Sequence, residues 1–182
     1  FGTNHLGHYA LTGLLLDVLL KTPDSRVVTV SSTAEQTGRI KLDDLMSEKS
    51  YERWTAYGQA KLANVLFAYE LQRRLKAAEA STISLAVHPG FAATNLRTKL
   101  MTRETPFFHR MLSHIFERMS QSVEMGVLPQ LYAATAPDVR GGEYYGPDGF
   151  LQRVGYPKRL RSSRRSYDEA LAQQLWTVSE QL

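Results

Sequence analysis

The feature that most constrains this sequence is an alternation. A helically spaced apolar stretch, NHLGHYALTGLLLDVLL (4–20), precedes the β-branched run Arg26–Val30 (RVVTV), and a second helical stretch precedes Ser81–His88 (STISLAVH). Short β-branched runs suit strands covered on both faces, and a helix between two of them is the crossover that parallel strands require. Helix, strand, helix, strand therefore predicts an α/β chain with a parallel sheet and helices packed on its faces.

The segments between these elements are read in the same way. Thr22, Pro23 and Asp24 end the first helix, and residues 31–52 form a long polar excursion with room for one helical turn. Residues 55–75 give the clearest helix, with Leu62, Val65, Leu66, Tyr69 and Leu75 on one stripe and Lys61, Glu70, Arg73, Arg74 and Lys76 mostly off it. Residues 105–119 read as an amphipathic segment, and residues 122–136 as a helix that Pro129 should kink or restart. GGEYYGPDGF carries a short edge strand between turns, and residues 167–182 close the sequence as an amphipathic helix. The spacing shows no repeat, linker or low-complexity segment.

Composition excludes several classes. The chain has 182 residues, 22 basic and 18 acidic side chains and no cysteine, so a disulfide framework, a thiolate nucleophile and Cys-ligated metal are ruled out. A net charge of +4 is too small to argue for nucleic acid, and the basic tract 158–165 reads as a solvated loop. The apolar stretches 10–20 and 62–68 are shorter than the roughly 20 residues a bilayer span needs. His5 and His8 have no Asp, Glu or Cys at metal-site spacing and read as structural, and no metal site is expected. Gly142, Gly146 and Gly149 precede no helix of the pattern a phosphate loop needs.

Chemistry concentrates at a few positions. In YGQAK, Tyr57 and Lys61 are four apart and share a helical face, and a cation beside a phenol favours the phenolate, a route to an acid/base tyrosine. The same spacing also describes an ordinary exposed pair. Ser31 and Ser32 end the RVVTV strand, where open α/β sheets place their ligand crevice, although strand-end hydroxyls also serve as turn residues. Pro89 and Gly90 follow the second strand in the same manner, with Thr94 beyond them. Asn4 stands near the start of the first helix, as a cap or as a partner for backbone or water.

These motifs, in this order, resemble those of the short-chain dehydrogenase/reductase family. NHLGH is similar to the family's Asn-bearing helix, RVVTVSS to its serine strand, YGQAK to its Tyr-x-x-x-Lys element and HPGFAAT to its cofactor loop. The 25 positions from Ser32 to Tyr57, the stretch DLMSEKSYERWTAYGQAKLANVLFAYELQRRL and the ending LWTVSEQL resemble the retinol-dehydrogenase-like branch. The resemblance implies a Rossmann-like doubly wound parallel sheet, here incomplete, with residues 1–182 forming the catalytic and C-terminal part of a single domain. It implies an oxidoreductase moving hydride between NADP or NAD, NADP preferred, and an apolar aldehyde, ketone or alcohol of retinoid-like character.

By the same resemblance Tyr57 is the general acid or base, Lys61 acts on Tyr57 and bonds the nicotinamide ribose, and Ser32 rather than Ser31 bonds the substrate oxygen. Asn4 anchors a proton-relay water, and Pro89, Gly90, Ala92 and Thr94 contact the nicotinamide end. The family's first half, with its pyrophosphate cradle, has no counterpart in residues 1–182, so the segment alone is expected to bind cofactor poorly. The alternative is a catalytically silent scaffold acting in protein interaction, against which the presence of Asn4, Ser32, Tyr57 and Lys61 together argues. A cytoplasmic location is expected, with membrane association through residues ahead of Phe1 and homo-oligomer formation left open.

Overall fold

A computed structural model describes residues 1–91 and 121–182. Four strands form one sheet in the order β1 (Arg26–Val30), β2 (Ile83–Val87), β3 (Tyr144–Pro147), β4 (Pro157–Leu160). β1 and β2 run parallel, with Arg26 beside Ile83 and Val30 beside Val87. β2 and β3 are also parallel, and β4 returns antiparallel to β3. Among the described residues β1 has β2 as its only neighbour.

The helices are α1 (Gly7–Lys21), α2 (Arg53–Ala77), α3 (Val123–Thr135) and α4 (Glu169–Gln181). Strand alternation explains the layering. Ala86 and Tyr144 pack with Val65, Ala68 and Tyr69 of α2 on one face. Their strand neighbours Leu85, Val87 and Tyr145 pack with Ala133 of α3 on the other. α4 covers the outer side of α2, where Leu62, Ala63 and Leu66 meet Ala172 and Leu175. The sheet is thus wound on both faces, as the sequence implies, and the α/β class holds.

Several expectations need correction. α2 is not a helix with one wet side: residues 58–71 are buried without interruption, because the sheet lies on one side and α4 on the other. Lys61 and Glu70, placed off the apolar stripe by spacing, are therefore buried, and Glu70 takes Arg73 and Arg74 at 2.7 and 2.8 Å. α3 runs through Pro129 unbroken, since packing against the sheet outweighs the one backbone hydrogen bond a proline forfeits. The strand in GGEYYGPDGF is interior rather than an edge. The tract 158–165 is not one solvated loop but the end of β4 followed by a 3-10 turn, Arg164–Tyr167.

The helix ends follow polar chemistry. Glu52 caps α2, its carboxylate accepting from the backbone amides of Trp54 and Thr55, and Asp168 accepts from Leu171 N at α4. α1 buries none of its residues, and Leu14 is 83% exposed. Among the described residues no helix is long and apolar enough to cross a membrane. The segment 105–119 lies outside the described residues.

Candidate active site

The site forms where the tip of β1 meets the first turns of α2. Ser31 and Ser32 diverge there. Ser31 is buried, donates its amide to Val87 O at 2.7 Å and its hydroxyl to Lys61 O at 2.8 Å, so it is committed to joining strand and helix. Ser32 is half-buried in extended backbone, and its Oγ accepts from Ala34 N at 3.2 Å as the cap of a 3-10 turn, Thr33–Gln36. An accepting hydroxyl keeps its own proton to donate.

Tyr57 and Lys61 lie one turn apart on α2. The Lys61 Nζ stands 5.7 Å from the centre of the Tyr57 ring and donates to Val30 O at 3.1 Å. Burial pushes the Lys61 ammonium below the ordinary lysine value. Trp54, 55% exposed, sets its ring edge-on to Tyr57 at 6.5 Å and supplies apolar surface beside the phenol.

Two glycines let the serine loop lie directly on this turn. A Cβ at Gly38 would sit 2.3 Å from Gly58 O and 2.9 Å from the Leu62 Cβ, and one at Gly58 would sit 3.0 Å from Ala34 O. The loop that begins at Ser32 and the helix that carries Tyr57 therefore touch backbone to backbone.

After β2, Gly90 adopts φ +69°, where a Cβ would meet Arg153 O at 2.4 Å and Pro147 Cγ at 2.7 Å, so only glycine fits. The turn is pinned on both sides. His88 Nδ1 accepts from Gly90 N at 3.2 Å, Gln121 Nε2 donates to Pro89 O at 2.8 Å, and Phe91 N donates to Arg153 O at 2.7 Å. Burial pushes the His88 imidazole down to about 4, which keeps it neutral and leaves Nδ1 able to accept. Ala92 and Thr94 lie outside the described residues.

The structure therefore brings Ser32, Tyr57 and Lys61 to adjoining turns. Pro89 and Gly90 follow β2, the strand paired with β1 in parallel. Asn4 is half-buried in a π-helical turn, Gly2–Leu6, ahead of α1, and its side chain forms no hydrogen bond among the described residues. Its neighbour His5 turns inward and bonds Asn64 and Ser179 instead. Sequence reasoning missed Asn64, although an amide inside the apolar run LANVLFA was a usable signal.

The donor set suits a sugar diol. One N–H of the Lys61 ammonium goes to Val30 O, leaving the others for ribose hydroxyls, and Gly90 keeps its turn free of a Cβ. Among the described residues no group of three or more His, Cys, Asp or Glu could hold a metal ion.

Known proteins resemble the chain over its whole length. The chain is 38% identical to Retinol dehydrogenase 14 of Mus musculus over 187 residues, covering 99% of this chain and 51% of that protein. It is 37% identical to Retinol dehydrogenase 13 of Homo sapiens, covering 100% and 53%, and 35% identical to the human Polyprenol dehydrogenase, covering 98% and 52%. Over its whole length the chain is similar to these retinol and polyprenol dehydrogenases, as its motifs are to the short-chain dehydrogenase/reductase family. The crystal structure of an uncharacterized protein from Mycobacterium paratuberculosis shares the Rossmann-like fold, with a TM-score of 0.76 and 41% identity over 99% of this chain and 56% of that one. No family model matches the chain. The chain spans about half the length of the curated relatives it matches.

Proposed function

We propose that this chain carries the acid/base part of an oxidoreductase site for apolar carbonyl and alcohol substrates. The observation that carries the reading is the buried Lys61 ammonium beside the Tyr57 ring, one strand tip away from a hydroxyl, Ser32, whose proton has no acceptor among the described residues. Residues 1–182 act as the catalytic and C-terminal part of one domain. Tyr57 gives its phenolic proton to a carbonyl oxygen during reduction and takes it back during alcohol oxidation. Ser32 donates a hydrogen bond to the same oxygen, where negative charge develops. Lys61 favours the phenolate and holds ribose hydroxyls, while Pro89 and Gly90, with Ala92 and Thr94, meet the nicotinamide end and Asn4 holds a relay water. A nicotinamide cofactor, NADP in preference to NAD, supplies or accepts the hydride.

Apolar substrate preference has two supports. The relatives are named for retinol and polyprenol, and Trp54 and Phe91 expose aromatic surface next to Tyr57 and Gly90. The deciding experiment compares the parent with Tyr57→Phe in a full-length protein that carries the pyrophosphate cradle, using retinol or a long apolar aldehyde against propanal, with either cofactor. Turnover should favour the long substrate and fall by about 10²-fold or more in the variant, the scale of a lost general acid, with an unchanged circular-dichroism spectrum. Parental turnover in Tyr57→Phe would overturn the assignment.

A further inference from the structure

Behind Lys61 lies a buried chain of hydrogen bonds that the proposed chemistry does not use directly. Asn64, three residues after Lys61 and fully buried, donates its Nδ2 to Val30 O at 3.1 Å. That is the carbonyl to which Lys61 Nζ also donates, at 3.1 Å. A carbonyl can only accept, so the amide nitrogen must face Val30 and the Oδ1 must face the other way. There it meets His5 Nδ1 at 3.2 Å, which fixes the imidazole proton on Nδ1. The second ring nitrogen is then an acceptor, and the Ser179 hydroxyl, 3.1 Å away, donates to it. The chain has one direction throughout: Ser179 to His5, His5 to Asn64, Asn64 to Val30.

The directionality requires a neutral imidazole, and burial, the largest effect, pushes His5 down to about 4. Aromatic rings hold it in place, with Phe1 at 4.8 Å and Tyr9 and Phe67 at 6.3 Å. The consequence falls on the carbonyl. An oxygen with two lone pairs, one already filled by Asn64, offers the ammonium a single approach. A lysine stem otherwise has several rotamers to choose from, worth about 2 kcal/mol of entropy.

We propose that Asn64, oriented by His5 and Ser179, is a positioning residue that holds the Lys61 ammonium against Tyr57, an inference that rests on the acid/base reading above. Asn64 touches neither substrate nor cofactor in this role. It acts by occupying one side of Val30 O.

The test labels lysine with 15N and follows the Lys61 Nζ titration by NMR in the whole chain, in the parent, Asn64→Leu and Ser179→Ala. The titration is read in the alkaline range, where His8, whose charge acts on Lys61, is neutral. Freed from its single approach, Lys61 should reach water and take a stronger share of any acceptor, and both changes raise its titration midpoint, by about one pH unit. Turnover should show about a tenfold loss in kcat with KM within about twofold, the pattern of a contact that matters in the transition state. Ser179→Ala deletes only the outermost bond and should shift the same quantities less, so it serves if Asn64→Leu does not fold.

A purely structural amide would alter stability and leave the Lys61 midpoint where it is. Coincident midpoints in the parent and the folded variants overturn the proposal. Absence of turnover in a full-length parent that binds the cofactor would instead count against the acid/base reading, while the shifted midpoint would still establish that Asn64 positions Lys61.

Discussion

Lys61 carries a conflict at the scale of a single residue. Its ammonium is held in a buried place that opposes charge, with one backbone carbonyl as hydrogen-bond acceptor. Groups kept in such places for chemistry tend to cost stability. Lys61→Met, similar in length and uncharged, should therefore raise the urea midpoint, with a gain in unfolding free energy of the order of 1 kcal/mol, while abolishing turnover. Asn64 still satisfies Val30 O in that variant, so no carbonyl is orphaned. A lowered midpoint would mean that the ammonium is a structural support. Tyr57 and Lys61 were legible in the sequence because a spacing of four is a local property of a helix. His5 and Asn64 were not, because their partners lie far away in the chain: Val30 is 34 positions from Asn64, and Ser179 is 174 from His5. Ser31 and Ser32 looked equivalent for the same reason. The family resemblance preferred Ser32, and the helix carbonyl that captures Ser31 supplies the physical difference between them.

Between elements, the contact of the Ser32 loop with α2 depends on the absence of side chains. Gly38→Ala would drive a methyl group into Gly58 O and the Leu62 Cβ. The backbone oxygen cannot yield as a flexible side chain would, so loop and helix must part. The expected cost is about 1–3 kcal/mol in urea denaturation, the range for overpacking. Turnover should fall further than stability explains, since the displacement separates Ser32 from Tyr57. A variant with parental stability and turnover would show that the contact is slack. The sequence announced α2 clearly but not its surroundings. Periodicity reports where apolar residues lie on a helix, whereas burial of Lys61 and Glu70 depends on α4 arriving over the outer face. β4 was missed because PKRL is polar and its pairing partner, β3, supplies the order. α3 continues through Pro129 because packing, which no local rule contains, outweighs one missing amide.

For the molecule as a whole, two buried imidazoles set the response to acid. His5 and His88 are each pushed by burial from 6.5 down to about 4. An unfolded histidine takes up its proton near 6.5, so between that value and about 4 the unfolded chain binds more protons and stability falls as pH falls. Each histidine contributes roughly 3 kcal/mol to that loss at full extent. Glu35, whose buried carboxyl is pushed above the ordinary value, works in the opposite sense just above the normal glutamate range, and it is one group against two. Urea midpoints at pH 7.5, 6 and 5 should decline in that order. Equal midpoints would show that neither ring is held neutral.

The bond between His5 and Ser179 has a consequence for biosynthesis. A chain emerging from the ribosome can lay α2 over the sheet long before residue 179 exists, yet until then the imidazole lacks the hydroxyl that donates to it. Translation order thus makes the alignment of the lysine a late event, and a polypeptide interrupted before α4 would hold every residue of the proposed site with the ammonium still unaligned.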